Sequence, residues 1–176
     1  LLYLFSIYTN DIKKVVGTVM TNFGIRKNLN LNGIKFVETD VGDKNVLEAV
    51  KKNNCLIGTE SSGHIVRNDI IQIPIGDALI TMIKFIHLLY DIDKNIYEVY
   101  PKSLKVPSML INVETSSPDI LINNNKSKFT KVEKILQKDG RILVRKSGTQ
   151  SMIRILIEHE SEDLLQEAKE VIDTLS

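Results

Sequence analysis

RILVRKSGTQSMIRILIE, Arg141 to Glu158, sets two β-rich apolar runs on either side of a short loop, Arg145-Lys146-Ser147-Gly148-Thr149. The runs read as two strands of a hairpin. The loop gathers two cations, two hydroxyls and a glycine, and Arg154 follows on the second strand. That mixture suits a dianionic phosphate, held by a guanidinium fork, hydroxyl donors and backbone N–H groups that a glycine leaves accessible. A turn rich in Ser, Gly and Thr is also an ordinary hairpin connection. The residues of this stretch alone leave both readings open.

Working outward, the hairpin lies between two helical patterns. Lys128 to Lys138 reads as a helix stopped at Asp139-Gly140. SEDLLQEAKEVIDTL, Ser161 to Leu175, is a helix with Ser161 as N-cap and acids in its first turn. Its core face is Leu164, Leu165, Ala168, Val171, Ile172 and Leu175. Upstream, KVPSMLINVE (Lys105 to Glu114) reads as a strand with Pro107 marking an edge or bulge at its start. Thr115 to Asn125 reads as polar loop. Strand, helix, two strands and helix make a small α+β domain.

The first half has a different rhythm. Leu1 to about Tyr8 looks helical, and KVVGTVM (Lys14 to Met20) is a β-branched buried strand. Thr21 to Leu29 is a helix capped by Thr21 or Asn22, with Gly33 beyond its end and Ile34 to Val37 as a second strand. DKNVLEAVKK (Asp43 to Lys52) is amphipathic, Cys55 to Ile57 is a third strand, and DALITMIKFIHLLY (Asp77 to Tyr90) is a long apolar helix. Met82 and Phe85 read as its core stripe, and His87 as a histidine on a helix face without chemistry. This βαβαβ order predicts an α/β three-layer domain with a mostly parallel sheet, followed by the small α+β domain. The polar run Asp91 to Asn95 reads as the linker, giving domains 1–91 and 92–176.

Composition narrows the class of function. The 176 residues are 43% hydrophobic and 26% charged, an ordinary globular balance. A net charge of +1 argues against a wholesale nucleic-acid or anionic-membrane binder. The one cysteine, Cys55, fits a reducing, cytoplasmic setting and a buried position in the core. The apolar start LLYLFSIY is too short to span a bilayer and lacks the marks of a signal peptide. With Leu in first place, the chain reads as a piece of a longer protein.

A second polar island, Gly58-Thr59-Glu60-Ser61-Ser62-Gly63-His64, follows the third strand directly. Ligands of open parallel sheets sit beyond the carboxyl ends of strands. Glu60 can accept from sugar hydroxyls, Ser62 can donate or accept, Gly63 lets backbone approach, and His64 can move a proton near neutrality. Equally, Glu60 and Ser61 can simply cap a turn.

Taken together and in order, the islands resemble a known family. GTESSGH is similar to the sugar-recognition loop of the α-D-phosphohexomutase superfamily, roughly G-E-x-S-G-H. RKSGTQSMIR resembles its C-terminal phosphate loop, R-[PK]-S-G-T-E-P-x-x-R. VVGTVMTNFGI (Val15 to Ile25), GIKFVETDVGDKNVLEAV (Gly33 to Val50) and IGDALIT (Ile75 to Thr81) resemble the bacterial phosphoglucosamine mutase branch. The resemblance runs over nearly the whole chain and covers the third and fourth of the family's four domains.

The resemblance implies an intramolecular phosphotransferase, an isomerase that interconverts glucosamine 6-phosphate and glucosamine 1-phosphate. It works through a phosphoserine and a 1,6-bisphosphate intermediate and feeds cell-wall precursor synthesis. The phosphoserine loop and the Mg²⁺ loop D-G-D-x-D-R belong to the first two domains and are not in these residues. The implied Mg²⁺ therefore has its ligands elsewhere, the implied partners are the N-terminal domains and a phosphosugar, and this chain alone is expected to be inactive.

Residue by residue, Arg145, Ser147, Gly148 and Thr149 match the phosphate clamp, and Arg154 matches the trailing arginine, on ligand or supporting the loop. Glu60, Ser62 and Gly63 match the sugar-reading loop. His64 matches its histidine, as general base or as a hydrogen bonder that shapes the loop. Gly42-Asp43-Lys44 matches a G-D-R turn, with Lys44 keeping charge but losing the arginine fork; Asp43 reads equally as a helix N-cap. Gln150 stands where the family has Glu and Ser151 where it has Pro, which points to a looser loop. Phosphoglucomutase, phosphomannomutase, and a non-catalytic phosphosugar-binding module or gene remnant are the competing readings.

Overall fold

The structure is a computed structural model and describes residues 1–69, 74–100 and 104–175. The chain forms two compact units, Leu1–Leu104 and Lys105–Ser176.

The first unit is built on strand β1, Lys14–Thr18. Successive side chains of a strand point to opposite faces, so a run of valines needs a core on both sides. Val15 and Val16 are fully buried, in different clusters. Val15 packs with helices α1 (Leu2–Tyr8), α2 (Phe23–Leu31) and α4 (Ala78–Asp91) through Phe5, Leu29 and Leu88. Val16 packs with Val46 and Val50 of α3 (Asp43–Asn53). Helices thus cover both faces of the sheet, giving the three expected layers.

Strand order is β2-β1-β3-β4-β5, with β2 at Lys35–Thr39, β3 at Ile57–Thr59, β4 at Ile65–Arg67 and β5 at Ile75–Gly76. The expected parallel pairing holds for β1 with both β2 and β3. β4 and β5 extend the sheet antiparallel and make it mixed. These two strands are three and two residues long, too short for a period of two to register in sequence. β3 also starts two residues later than the apolar run suggests, because Cys55 precedes it as a buried core residue whose thiol is pushed up in pKa by burial.

Gly58 shows how closely α3 rides on the sheet. A Cβ there would lie 2.5 Å from Val50 and 2.8 Å from Val46. Only glycine lets the helix settle at this depth.

Two expectations are corrected in this unit. Asp91 to Asn95, read as the linker, lies inside it, between α4 and α5 (Ile96–Val99). Ile92, Ile96 and Val99 bind that stretch to the first core, so the unit runs on to Leu104 instead of ending at 91. Met82 is no core residue; it is more than half exposed, whereas Phe85 meets Phe5 edge-on at 6.1 Å. His87 is exposed on its helix and pairs with Asp91 at 2.9 Å.

The second unit is a three-stranded antiparallel sheet in the order β6-β8-β7, with β6 at Ser108–Glu114, β7 at Gly140–Lys146 and β8 at Met152–His159. Pro107 stands just before edge strand β6, where its missing N–H costs no ladder bond. Ile153, Ile155 and Ile157 of central β8 pack with Phe129, Val132 and Leu136 of α7 (Lys126–Leu136) and Leu165, Ala168 and Ile172 of α8 (Glu162–Asp173). Ser161 caps α8 as expected, accepting from Leu164 N–H. The stretch read as loop, Thr115 to Asn125, instead holds helix α6, Pro118–Asn124. Pro118 opens α6 in the first turn, where a proline's fixed φ suits a helix start. The Asn-rich tract hides it.

Substituting Gly58 by Ala is expected to destabilise the chain by about 1–3 kcal/mol, because the added methyl overpacks against α3; urea unfolding measures it. Asp69 provides a second check. Its pKa is pushed up by burial, but hydrogen bonds and charge from Arg67, at 2.5 and 2.9 Å, outweigh this and hold it below the usual carboxylate value. A lowered folded pKa means stability that is present above the unfolded value of about 3.9 and lost as pH falls through the folded one. Asp69→Asn should therefore cost about 1–3 kcal/mol at pH 7, with the deficit shrinking toward pH 2.

Candidate functional site

In the first unit β1 is flanked by β2 on one side and β3 on the other. The chain goes from β1 to β2 through α2 and returns to β3 through α3, which lies on the opposite face. The reversal makes the carboxyl ends of β1 and β3 a topological switch point, the usual place for ligands in such sheets. The loop from Glu60 to His64 starts at that edge, joining β3 to β4.

This loop is a tight hairpin. Glu60 N–H donates to His64 O at 2.9 Å, and Gly63 N–H donates to Glu60 O at 3.1 Å. Gly63 has φ +105°, a conformation that other residues adopt only with strain. The turn stacks three polar side chains. Ser62 Oγ and His64 Nδ1 lie 3.1 Å apart, with the donor set by the histidine tautomer. Glu60 Oε2 lies 4.0 Å from the same nitrogen.

Glu60 is the anchored member. Its side chain is only 16% exposed, while that of His64 is 66% exposed. Glu60 Oε1 accepts from the Gly42 N–H at 2.9 Å. This bond ties the hairpin to the turn at the start of α3, so the structure brings Glu60, Ser62 and His64 beside Gly42-Asp43-Lys44. A carboxylate has about four acceptor positions, so hydroxyl donors can still reach it. The backbone amide of Gly42, which makes the link, does not stand out in the sequence; a donor on the main chain leaves no side-chain signal.

Asp43 is not the N-cap of α3. Gly42 holds that place, and Asp43 is the first helical residue, with Oδ1 accepting from Lys44 N–H at 2.8 Å. A carboxylate in this first turn is favoured by the helix dipole. Lys44 is exposed and reaches Glu48 at 4.0 Å.

The second unit holds the phosphate-loop candidates. Arg145 of β7 and Arg154 of β8 are direct cross-strand partners. Like charges placed opposite each other in a ladder repel. Among the described residues, neither guanidinium has an acidic partner, and the buried Nε atoms of both lack a hydrogen bond. Arg154 Nη2 donates instead to the neutral amide of Gln150, at 3.1 Å. Ser147, Gly148 and Thr149 form the turn beside the pair, closed by Ser147 N–H donating to Met152 O at 3.0 Å. Gly148 and Thr149 are exposed. Ser151 keeps the loop base tied through its carbonyl, which accepts from Thr115 N–H at 3.0 Å.

Lys146 drops out of this group. As the next residue along the strand it faces the other way and pairs with Asp119 of α6 at 3.0 Å. Asn112 joins it, since it is the register partner of Arg154 on β6. The alternation of Ser108, Leu110, Asn112 and Glu114 carries that signal. Farther down the same face, Arg141 and Glu158 pair at 2.5 Å, so that arginine is neutralised while Arg145 and Arg154 are not.

Among the described residues no group of three His, Cys, Asp or Glu side chains is placed to hold a metal ion, and no helix is long and apolar enough to cross a membrane.

The family model for phosphoglucomutase/phosphomannomutase, alpha/beta/alpha domain III, matches residues 1–106, and that for the C-terminal domain matches residues 110–175. The chain belongs to the phosphoglucomutase/phosphomannomutase family. It is 36% identical over 156 residues to the phosphoglucosamine mutase of Natranaerobius thermophilus, covering 88% of this chain and 35% of that protein. It is 39% identical over 155 residues to the phosphoglucosamine mutase of Bacillus subtilis, covering 87% and 34%. The chain thus spans about a third of the length of these curated relatives. The fold matches that of Aspergillus fumigatus N-acetylphosphoglucosamine mutase in complex with GlcNAc-6P and magnesium, with TM-score 0.70, 19% identity, and 98% of this chain and 44% of that one covered.

Replacing Glu60 by Ala should leave the Gly42 N–H without its partner and cost about 1–2 kcal/mol. Glu60→Gln, which keeps the acceptor, should stay closer to the parent in a urea titration.

Proposed function

We propose that this chain is the sugar-reading and phosphate-gripping part of a phosphoglucosamine mutase. The reaction is the interconversion of glucosamine 6-phosphate and glucosamine 1-phosphate, serving amino-sugar and cell-wall precursor synthesis in the cytoplasm. One observation carries this reading: two arginines are held face to face with no acid between them among the described residues, next to a Ser-Gly-Thr turn. A dianion accepted by both relieves their repulsion and forms charge-assisted hydrogen bonds.

Arg145, Ser147, Gly148 and Thr149 grip the phosphate that is not reacting, and Arg154 completes the pair. Glu60 and Ser62 accept from and donate to sugar hydroxyls, with Gly63 allowing close approach. Asp43 and Lys44 border the hexose from the adjoining turn. His64, tied to Ser62, holds or moves a proton at Nδ1. Binding energy from these remote contacts aligns the sugar for in-line transfer. The phosphoryl group itself comes from a phosphoserine on the N-terminal domains, through a 1,6-bisphosphate that turns over within the site. Mg²⁺, which would stabilise charge on the transferring phosphoryl group, is assigned in this reading to the N-terminal domains.

Calorimetric titration of the purified chain with glucosamine 6-phosphate is expected to show saturable binding without isomerisation to the 1-phosphate. Arg145→Ala should weaken binding of a hexose bisphosphate by about 2–3 kcal/mol. An unchanged affinity removes Arg145 from the grip, and turnover by this chain alone contradicts the division of labour.

A further inference from the structure

Surface helices normally carry one apolar stripe and one polar face. Helices α3 and α8 obey this: α3 exposes Lys44, Glu48, Lys51 and Lys52, and α8 exposes Glu162, Asp163, Glu167 and Glu170. Helix α4 does not. Its inner face buries Thr81 and Leu88, with Phe85 and Leu89 packed on the first core. On its opposite side Leu79, Met82, Ile83, Ile86 and Tyr90 are each more than half exposed. Their spacing, i, i+3, i+4, i+7 and i+11, makes one continuous stripe. Contiguous exposed apolar surface of this kind marks an interface.

What covers it is indicated by the family. The matching models describe a third and a C-terminal domain, and about two thirds of each relative lies outside the matched region. We propose that the outward face of α4 is the docking surface for the polypeptide that longer family members carry as their first two domains, whether joined to this chain or separate. The partner presents a complementary apolar surface, with polar groups meeting Lys84 and the His87–Asp91 pair at the stripe's border. This rests on the reading of the chain as one part of a mutase, and it adds the place where the other part sits.

The probe is the region of the Bacillus subtilis relative that corresponds to the family's first two domains, purified as its own polypeptide and mixed with the 176-residue chain. Light scattering after gel filtration should show a one-to-one complex, and hydroxyl-radical oxidation of Met82 should fall several-fold within it. The double variant Met82→Lys/Ile86→Lys, shown to be folded by circular dichroism, should bind at least ten-fold more weakly. The single variant Ile83→Gln, a milder change, should weaken binding as well if the double variant fails to fold. Undiminished binding by folded variants, absence of any complex, a homodimer that the variants dissolve, or Met82 already protected in the free monomer would each overturn the proposal. Glucosamine 6-phosphate binding is titrated separately on the free chain: a complex without sugar binding sinks the functional reading alone, and sugar binding without a complex sinks this one.

Discussion

The constraint on which the candidate site depends is the strand register that sets Arg145 opposite Arg154. The antiparallel register of β7 and β8 sets them directly opposite, and a ladder of seven paired residues fixes that register. The sheet cannot slip to separate them, since a shift of one residue would turn Ile153, Ile155 and Ile157 away from α7 and α8. Core packing therefore fixes the two arginines as opposite residues on one face of the sheet. Elsewhere on the same face the sheet neutralises its cation, pairing Arg141 with the fully buried Glu158. The contrast within one sheet face gives the unneutralised pair its meaning.

A comparable constraint shapes the first unit. The chain changes direction across the sheet at β1, and the hairpin after β3 stands at that switch point. Glu60 serves there as a structural tie to Gly42 and keeps acceptor capacity free. The loop after β2 and the loop after β3 are consequently one mechanical object. Glu60 and Asp43 lie at this edge together with His64 and Lys44, while the loop of the second unit is flanked by arginines.

Most of the architecture is legible in the sequence because periodicity reports burial. The valines of β1, the amphipathic face of α3 and the capped α8 all owe their patterns to the cores they enter. What stays hidden has physical causes. β4 and β5 are too short to show alternation, and α6 lies in an Asn-rich stretch with no buried residue to give it a stripe. The boundary falls beyond Asp91 because a polar surface turn resembles a linker, while the apolar residues after it, Ile92, Ile96 and Val99, still belong to the first core. In the site, the side chains are readable but their partners are not: Gly42 acts through its backbone, Lys146 is diverted by strand alternation, and Asn112 enters through pairing with a distant strand.

The most direct test of the arginine pair is the nitrogen-15 spectrum of arginine Nε–H groups during titration with inorganic phosphate. Arg145 and Arg154 should show saturable, concerted shifts as their Nε–H groups gain an acceptor, while Arg141, held by Glu158, stays in place. Unmoved resonances for the pair, or an equal drift of all three, would contradict the claim that these strands are built to hold an anion.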